Sequence, residues 1–280
     1  MTEQEPSDLM DDEFDPPPPE SWRDIAMAWG PAILAVIFIR LFIFEPFRIP
    51  SGSMVPTLLI GDHVMVTKYS YGIWMPWKSI GIPFTNTMLT FENVELVDLG
   101  DPERGDIIVF HYPREEAKTY IKRVVGLPGD RIRVANNQIF LNGERMTLDP
   151  ISTYEDETPT CGRRPSRSWI ETLQRRDAPP LTHGVLTSRG GSGRLANRPE
   201  IVVPEDAVFV MGDNRDASED SRAWGIVRYN QIKGKAHFIW LSWDGCASAA
   251  LGNIRLDRMP RSLYEEDDLN EVLSSREAAY

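Results

Sequence analysis

Residues 106–141 read DIIVFHYPREEAKTYIKRVVGLPGDRIRVANNQIFL. Runs rich in Ile, Val, Phe and Tyr alternate with turn-forming clusters, the pattern of short strands joined by tight reversals. The expected strands are Asp106–Tyr112, Tyr120–Val125, Arg131–Ala135 and Gln138–Leu141. Pro128-Gly129-Asp130, Asn136-Asn137 and, just beyond, Asn142-Gly143 mark the turns. Gly and Asn accept the backbone angles of a tight reversal, and Pro presets its first corner. His63–Thr67, Val94–Asp98, Ala207–Met211 and Lys235–Leu241 repeat the texture, with no long amphipathic helix between them. The expected fold class is mainly β: an antiparallel β domain, sandwich or open barrel, over residues 46–150 and 200–255.

Upstream, residues 25–44 read IAMAWGPAILAVIFIRLFIF, with Arg40 as the single charge. A hydrocarbon core of ~30 Å needs about that many residues at ~1.5 Å each, so a single N-terminal transmembrane helix is expected over 25–45. Trp22, Trp29 and Phe47 suit its two interfaces. A cleaved leader is disfavoured, because the preceding region is long and acidic and no small-x-small site follows the run. Residues 1–24, with Pro16 to Pro19 in a row, are expected to be a disordered acidic tail. Residues 151–199 are an Arg/Pro/Gly-rich stretch, read as an irregular insertion. Between 160 and 199 there are eight arginines against two acids, which fits contact with anionic headgroups. Residues 256–280 form an acidic C-terminal tail, with Leu263, Leu269, Val272 and Leu273 at loosely helical spacing.

The 280-residue chain carries a formal charge of -12 and a mean hydropathy of -0.32. Residues 1–24 hold nine acids and one base, 257–280 hold seven acids and three bases, and the remainder balances at 26 of each. The imbalance therefore sits in the tails and says nothing about the partners of the β domain. Two cysteines, Cys161 and Cys246, exclude a disulfide framework and a four-cysteine zinc site. Four histidines (His63, His111, His183 and His237) show no metal-ligand spacing and read as ordinary core or surface residues. No metal and no cofactor is expected.

Two segments could carry nucleophilic chemistry. In Ile49-Pro50-Ser51-Gly52-Ser53-Met54-Val55-Pro56-Thr57-Leu58-Leu59, prolines bound a Ser-Gly-Ser turn that can hold a hydroxyl in a fixed place. Spacing alone favours a loop without catalytic meaning. In Tyr120-Ile121-Lys122-Arg123-Val124-Val125, a strand puts Lys122 on one face with Tyr120 and Val124. Among apolar neighbours a lysine loses hydration of its charged form, its pKa falls, and the neutral amine can take a proton from serine. Taken alone, the segment favours a solvated lysine on an outer face. A third segment, Met211 to Arg222, is dense in Asp, Ser and Arg directly after a strand and suits a rigid hydrogen-bonded loop.

These segments resemble the boxes of bacterial type I signal peptidases (leader peptidases). The serine box is Ser51-Gly52-Ser53-Met54-Val55-Pro56-Thr57, and the lysine box runs from Tyr120 to Asp130. The last box is Gly212-Asp213-Asn214-Arg215-Asp216 through Ser218, Asp220, Ser221 and Arg222, and Arg104 to Phe110 matches the strand box between. The resemblance covers roughly residues 37–150 and 200–243. It implies a membrane-anchored serine endopeptidase that removes signal peptides after a small-x-small site. By position, Ser53 matches the nucleophile and Lys122 the general base. Ser51 matches the oxyanion-hole hydroxyl, Ser218 the serine that orients the lysine, and Asp220 with Arg222 a supporting pair. Shallow substrate pockets match to Phe47, Ile49, Pro50, Met54, Leu58, Val64, Val109, Tyr120 and Ile121. The implied partners are signal peptides of secretory preproteins, membrane lipid and proximity to the secretion translocon, with no nucleic acid. The implied location is the bacterial inner membrane, single-pass, with the catalytic domain on the periplasmic side. Arg40 and Arg48 outnumber Arg23 around the expected span, so the positive-inside rule leans weakly the other way. An oxidising compartment would permit Cys161 and Cys246 to pair. Two other classes fit less well: a self-cleaving Ser-Lys repressor, which needs a DNA-binding helix-turn-helix, and an inactive peptide-binding domain, which has no need of Ser53 and Lys122.

Overall fold

A computed structural model of the chain describes residues 21–74, 79–81, 88–90, 95–97, 99–155, 165–176, 178–188, 193–244 and 254–264. The chain divides into two units, 1–40 and 41–280. In the first lies most of helix α1 (Trp22–Phe42), built from good helix formers such as Ala26, Ala28, Leu34 and Ala35. Ser21 caps it: its Oγ accepts from the Arg23 N–H at 3.4 Å and its carbonyl from the Ile25 N–H at 3.2 Å. Gly30 and Pro31 interrupt the run of helix formers. Among the described residues no helix is long and apolar enough to cross a membrane. The segment expected to span the bilayer thus forms a helix, but one that falls short of that standard.

Among the described residues the strands of the second unit pair antiparallel. Its strands are β1 (Phe44–Arg48), β2 (Asp62–Thr67), β3 (Ile73–Trp74), β4 (Ser79–Gly81), β5 (Met88–Thr90), β6 (Glu95–Val97) and β7 (Ile107–Tyr112). There follow β8 (Glu115–Gly126), β9 (Arg131–Ala135), β10 (Gln138–Leu141), β11 (Glu144–Arg145), β12 (Thr147–Glu155), β13 (Pro165–Leu173) and β14 (Leu181–Ser188). The chain closes with β15 (Arg198–Val202), β16 (Ala207–Met211), the short helix α2 (Ser221–Trp224), β17 (Val227–Arg228), β18 (Ile232–Ser242) and β19 (Arg261–Ser262). The central sheet runs β1-β2-β18-β7-β8-β16-β17, with β19 also on β18. A second sheet runs β11-β10-β9-β15 and a third β12-β13-β14.

Turn chemistry sets the local course. Asn136 and Asn137 both have positive φ between β9 and β10, as do Asn142 and Gly143 between β10 and β11. The Asp130 N–H donates to the Leu127 carbonyl at 3.0 Å across Pro128-Gly129. Alternation then sorts the side chains of the central sheet. Ile107, Val109 and Ile121 join Met54, Leu58, Val64 and Ile239 in one cluster, while Ile108, Phe110, Val124 and Val210 join Trp224 in another. Covered on both sides, β7 and β16 read as near-continuous apolar runs.

Two expectations need correction. Residues 151–199 are not an irregular insertion: β12 crosses its boundary from Thr147, and β12, β13 and β14 make a regular three-stranded sheet. The prolines misled because they sit where a strand tolerates them, Pro150 beside a register shift, Pro165 at a strand start, and Pro179 and Pro180 just before β14. Nor is 256–264 a loose tail. Leu263 is buried in the core, and Arg258, also buried, pairs with Asp62 at 2.7 Å and donates to the Thr57 carbonyl at 3.1 Å. Residues 265–280, the tail at 1–20, Cys161 and Cys246 lie outside the described residues.

Candidate active site

Ser53 lies in a single 3-10 turn, Gly52–Met54, that follows β1 and the extended residues Ile49 and Pro50. Lys122 lies in β8 opposite Ile108 of β7. The Nζ of Lys122 is 2.7 Å from the Oγ of Ser53, to which it donates, and it also donates to its neighbour's carbonyl, Ile121 O, at 2.8 Å. Lys122 is 4% exposed and makes no ion pair among the described residues. Burial is the main cause that pulls its pKa down to about 8. The Asp220 and Asp213 carboxylates oppose the fall and the Arg222 charge adds to it. The solvated-lysine reading is therefore excluded, and the amine is poised to exchange a proton with the adjacent hydroxyl near neutral pH.

The loop after β16 supports this pair. β16 lies beside β8 with Met211 opposite Arg123, so the chain leaving Met211 runs past the lysine. At Gly212 there is no room for a side chain: a Cβ would stand 2.3 Å from the Ser218 Oγ and 2.5 Å from the Ser53 carbonyl oxygen. Asn214 holds the serine turn twice, its N–H donating to Ser53 O and its Nδ2 to Gly52 O, both at 3.1 Å. Asp220 takes a two-pronged grip from Arg222, with Nε to Oδ1 and NH2 to Oδ2 both at 2.8 Å, and accepts the Gly212 N–H at 3.0 Å. Burial alone would raise the Asp220 pKa. The Arg222 charge and these hydrogen bonds outweigh it, so the carboxyl sits below its ordinary value.

Behind the loop is a second buried network. Arg123 clasps Asp213 through Nε at 2.9 Å and NH2 at 2.8 Å, and Thr57 Oγ1 donates to the same carboxylate at 2.6 Å. His183 of β14 sits between Asp213, 3.5 Å from its Nδ1, and Glu171 of β13, 3.2 Å from its Nε2. Glu171 also accepts from Arg215. Burial works to raise the Glu171 pKa, but the Arg215 and His183 contacts bring it down to about 2. Sequence reasoning missed Asn214, Thr57, Glu171 and His183. Only Thr57 and Asn214 stood inside quoted boxes, and no local signal joins β13 or β14 to the serine turn.

The remaining expected residues divide. Ser51 precedes the turn with an exposed side chain and no capping hydrogen bond. Ser218 is buried beside Gly212, and among the described residues its Oγ makes no hydrogen bond to the lysine amine, so the expected contact is absent. Ile49, Met54, Leu58, Val64, Val109 and Ile121 do come together, with Phe47 against them, but as a filled core cluster. Tyr120 lies on the other face, stacked on Tyr112 at 4.7 Å. Phe47, Pro50 and Tyr120 keep the accessible surface of the set. Among the described residues no group of His, Cys, Asp and Glu is arranged to hold a metal. Arg175 and Arg176 of the arginine-rich stretch are engaged within the fold, with Glu103 and the Pro128 carbonyl.

Comparison with known proteins bears on this arrangement. The family model described as signal peptidase, peptidase S26, matches residues 22–243. A signal peptidase I of Pseudomonas aeruginosa is 35% identical over 234 residues, covering 80% of this chain and 74% of that protein. One of Rickettsia canadensis is 32% identical over 271 residues, covering 89% and 95%. The crystal structure of a signal peptidase I from Enterococcus faecalis aligns with 48% of this chain and 96% of its own at 23% identity. Its TM-score is 0.27, a likeness too slight to bear on the fold.

Proposed function

Because the chain belongs to the signal peptidase family, peptidase S26, and is thereby a serine endopeptidase of signal peptides, we propose that Ser53 is its nucleophile and Lys122 its general base. The observation that carries this is the 2.7 Å contact between Ser53 Oγ and a buried, unpaired lysine amine. The neutral amine takes the hydroxyl proton as Oγ attacks the scissile carbonyl. The Ser53 N–H and the Ser51 hydroxyl receive the oxyanion, and the protonated Lys122 returns its proton to the leaving amine. The amine then activates the water that releases the acyl group. In this reading the Asp220–Arg222 pair keeps the loop beside Lys122 rigid.

The substrate is an exported preprotein cut after a small-x-small site. From Glu115 to Lys122, β8 has only β7 as partner strand among the described residues, which leaves an edge where an extended peptide can add. Phe47, Pro50 and Tyr120, the members of the expected set that keep accessible surface, supply apolar contacts for a small side chain, and the buried cluster of Ile49, Met54, Leu58, Val64, Val109 and Ile121 backs them. Attachment to the bacterial inner membrane through α1, with the β domain on the periplasmic side near the translocon, completes the reading. What supports it is the set of exposed apolar side chains on α1, among them Trp29, Ile33, Leu34, Val36 and Ile37. Resistance of the full chain to alkaline carbonate extraction tests the attachment, and quantitative release would overturn it. The decisive experiment offers detergent-solubilised protein a preprotein with an Ala-x-Ala site. Wild type cuts after the second alanine, whereas Ser53→Ala and Lys122→Ala each lose at least about 10⁴-fold in rate. Undiminished cleavage by either variant would sink the dyad.

A further inference from the structure

The sheet β12-β13-β14 has no part in the reading above, yet one of its strands touches the serine turn. The Leu186 N–H of β14 donates to the Asp213 carbonyl at 2.9 Å, and Leu186 forms a parallel bridge with Asn214. Asn214 is the residue whose backbone and side-chain N–H groups hold the Ser53 and Gly52 carbonyls. The Leu186 side chain, fully buried, makes a separate apolar cluster with Val55 and Leu59, which lie two and six residues beyond Ser53. β14 therefore meets the nucleophile turn by two independent routes, one of hydrogen bonds and one of packing. The close contacts of His183 with Glu171 and Asp213, flanked by Arg215 and Arg123, join the same sheet to the same loop.

We propose that Leu186 is a positioning residue for Ser53, the point through which β14 sets the nucleophile against Lys122. The proposal rests on Ser53 and Lys122 as the reacting pair. Its physical basis is that a displacement of about 1 Å at a reacting atom costs up to ~10²-fold in rate without changing how substrate binds. Truncating Leu186 lets the Val55–Leu59 segment relax into the space and loosens the register that Asn214 imposes.

The test compares Leu186→Ala, Leu186→Val and Trp169→Ala in the full chain, at a temperature where each is folded. Trp169 donates to Thr187 Oγ1 on the opposite face of the same sheet, so its loss damages the sheet without touching the Leu186 contacts. Leu186→Ala is expected to lower kcat by about tenfold to hundredfold with little change in KM. It is also expected to slow acylation of Ser53 by a small activated ester, which makes no use of the peptide groove. Leu186→Val, which removes one methylene group, gives an intermediate fall and keeps the test readable should the alanine variant unfold. Trp169→Ala keeps wild-type kcat. An unchanged kcat in both Leu186 variants overturns the proposal, as does an equal fall in Trp169→Ala. Ser53→Ala in parallel separates the two claims. Retained cleavage there overturns the nucleophile, whereas loss there beside a fully active Leu186→Ala overturns only the positioning role.

Discussion

On one face of β8 the Lys122 amine is buried with a hydroxyl and a carbonyl as its partners. On the other face, one residue along, the Arg123 guanidinium is buried in a two-pronged clasp with Asp213. Burial pushes both cations toward neutrality. For Arg123 the Asp213 carboxylate more than reverses the effect, and its pKa stands above the ordinary value. For Lys122 no partner reverses it, and the value falls to about 8. Two cations at equal depth thus differ by one carboxylate. The paired one holds structure, and the unpaired one gains a proton affinity that suits chemistry near neutral pH.

Exchanging the attributes of the two residues tests this contrast. The largest effect is expected at Lys122. Lys122→Met should remove at least about 10⁴-fold in cleavage rate without loss of stability in urea unfolding, because it takes a desolvated amine without an ion-pair partner out of a buried site. Lys122→Arg should be equally inactive, since a guanidinium does not deprotonate at working pH. A Lys122→Met protein less stable than wild type would mean that the amine also holds structure. Next comes Arg123→Ala, which strands Asp213 as a buried charge and should cost about 3–5 kcal/mol in the same unfolding assay.

The pH profile sharpens the same contrast. Activity should rise as Lys122 loses its proton around pH 8 and level off above it. The Asp220 carboxylate is the first of the forces holding that proton on, so Asp220→Asn should move the rise to lower pH. A shift upward would contradict the assignment. The smallest effect is expected at the exposed pair Arg131–Glu200, where Glu200→Ala should change stability by about 0.5 kcal/mol or less.

The central sheet was legible because its signals are local. Arg131–Ala135, Gln138–Leu141 and Ala207–Met211 form strands with the expected ends, and the Asn-Asn and Asn-Gly turns carry the backbone angles their residues favour. Ser53 and Lys122 were singled out by turn chemistry and alternation, and resemblance joined them. Burial of Lys122 depends on a turn sixty-nine residues away, and no periodicity reports that. The sheet β12-β13-β14 was hidden for a different reason. Its prolines sit beside a register shift, at a strand start or just before a strand, where they spare the ladder, but in the sequence they suggest an irregular insertion. His183 looked ordinary because its two acidic neighbours come from β13 and the loop after β16.

The separation in sequence between the reacting groups has a consequence for the timing of synthesis. Ser53, Lys122 and the 212–222 loop leave the ribosome in that order, and the Arg258 clamp on Asp62 and Thr57 comes after all three. Until the later segments arrive, Lys122 lacks the burial that brings its pKa down to about 8. A chain that ends before the 212–222 loop therefore lacks the groups that set the proton affinity of Lys122. Long-range burial ties that property to a nearly finished polypeptide.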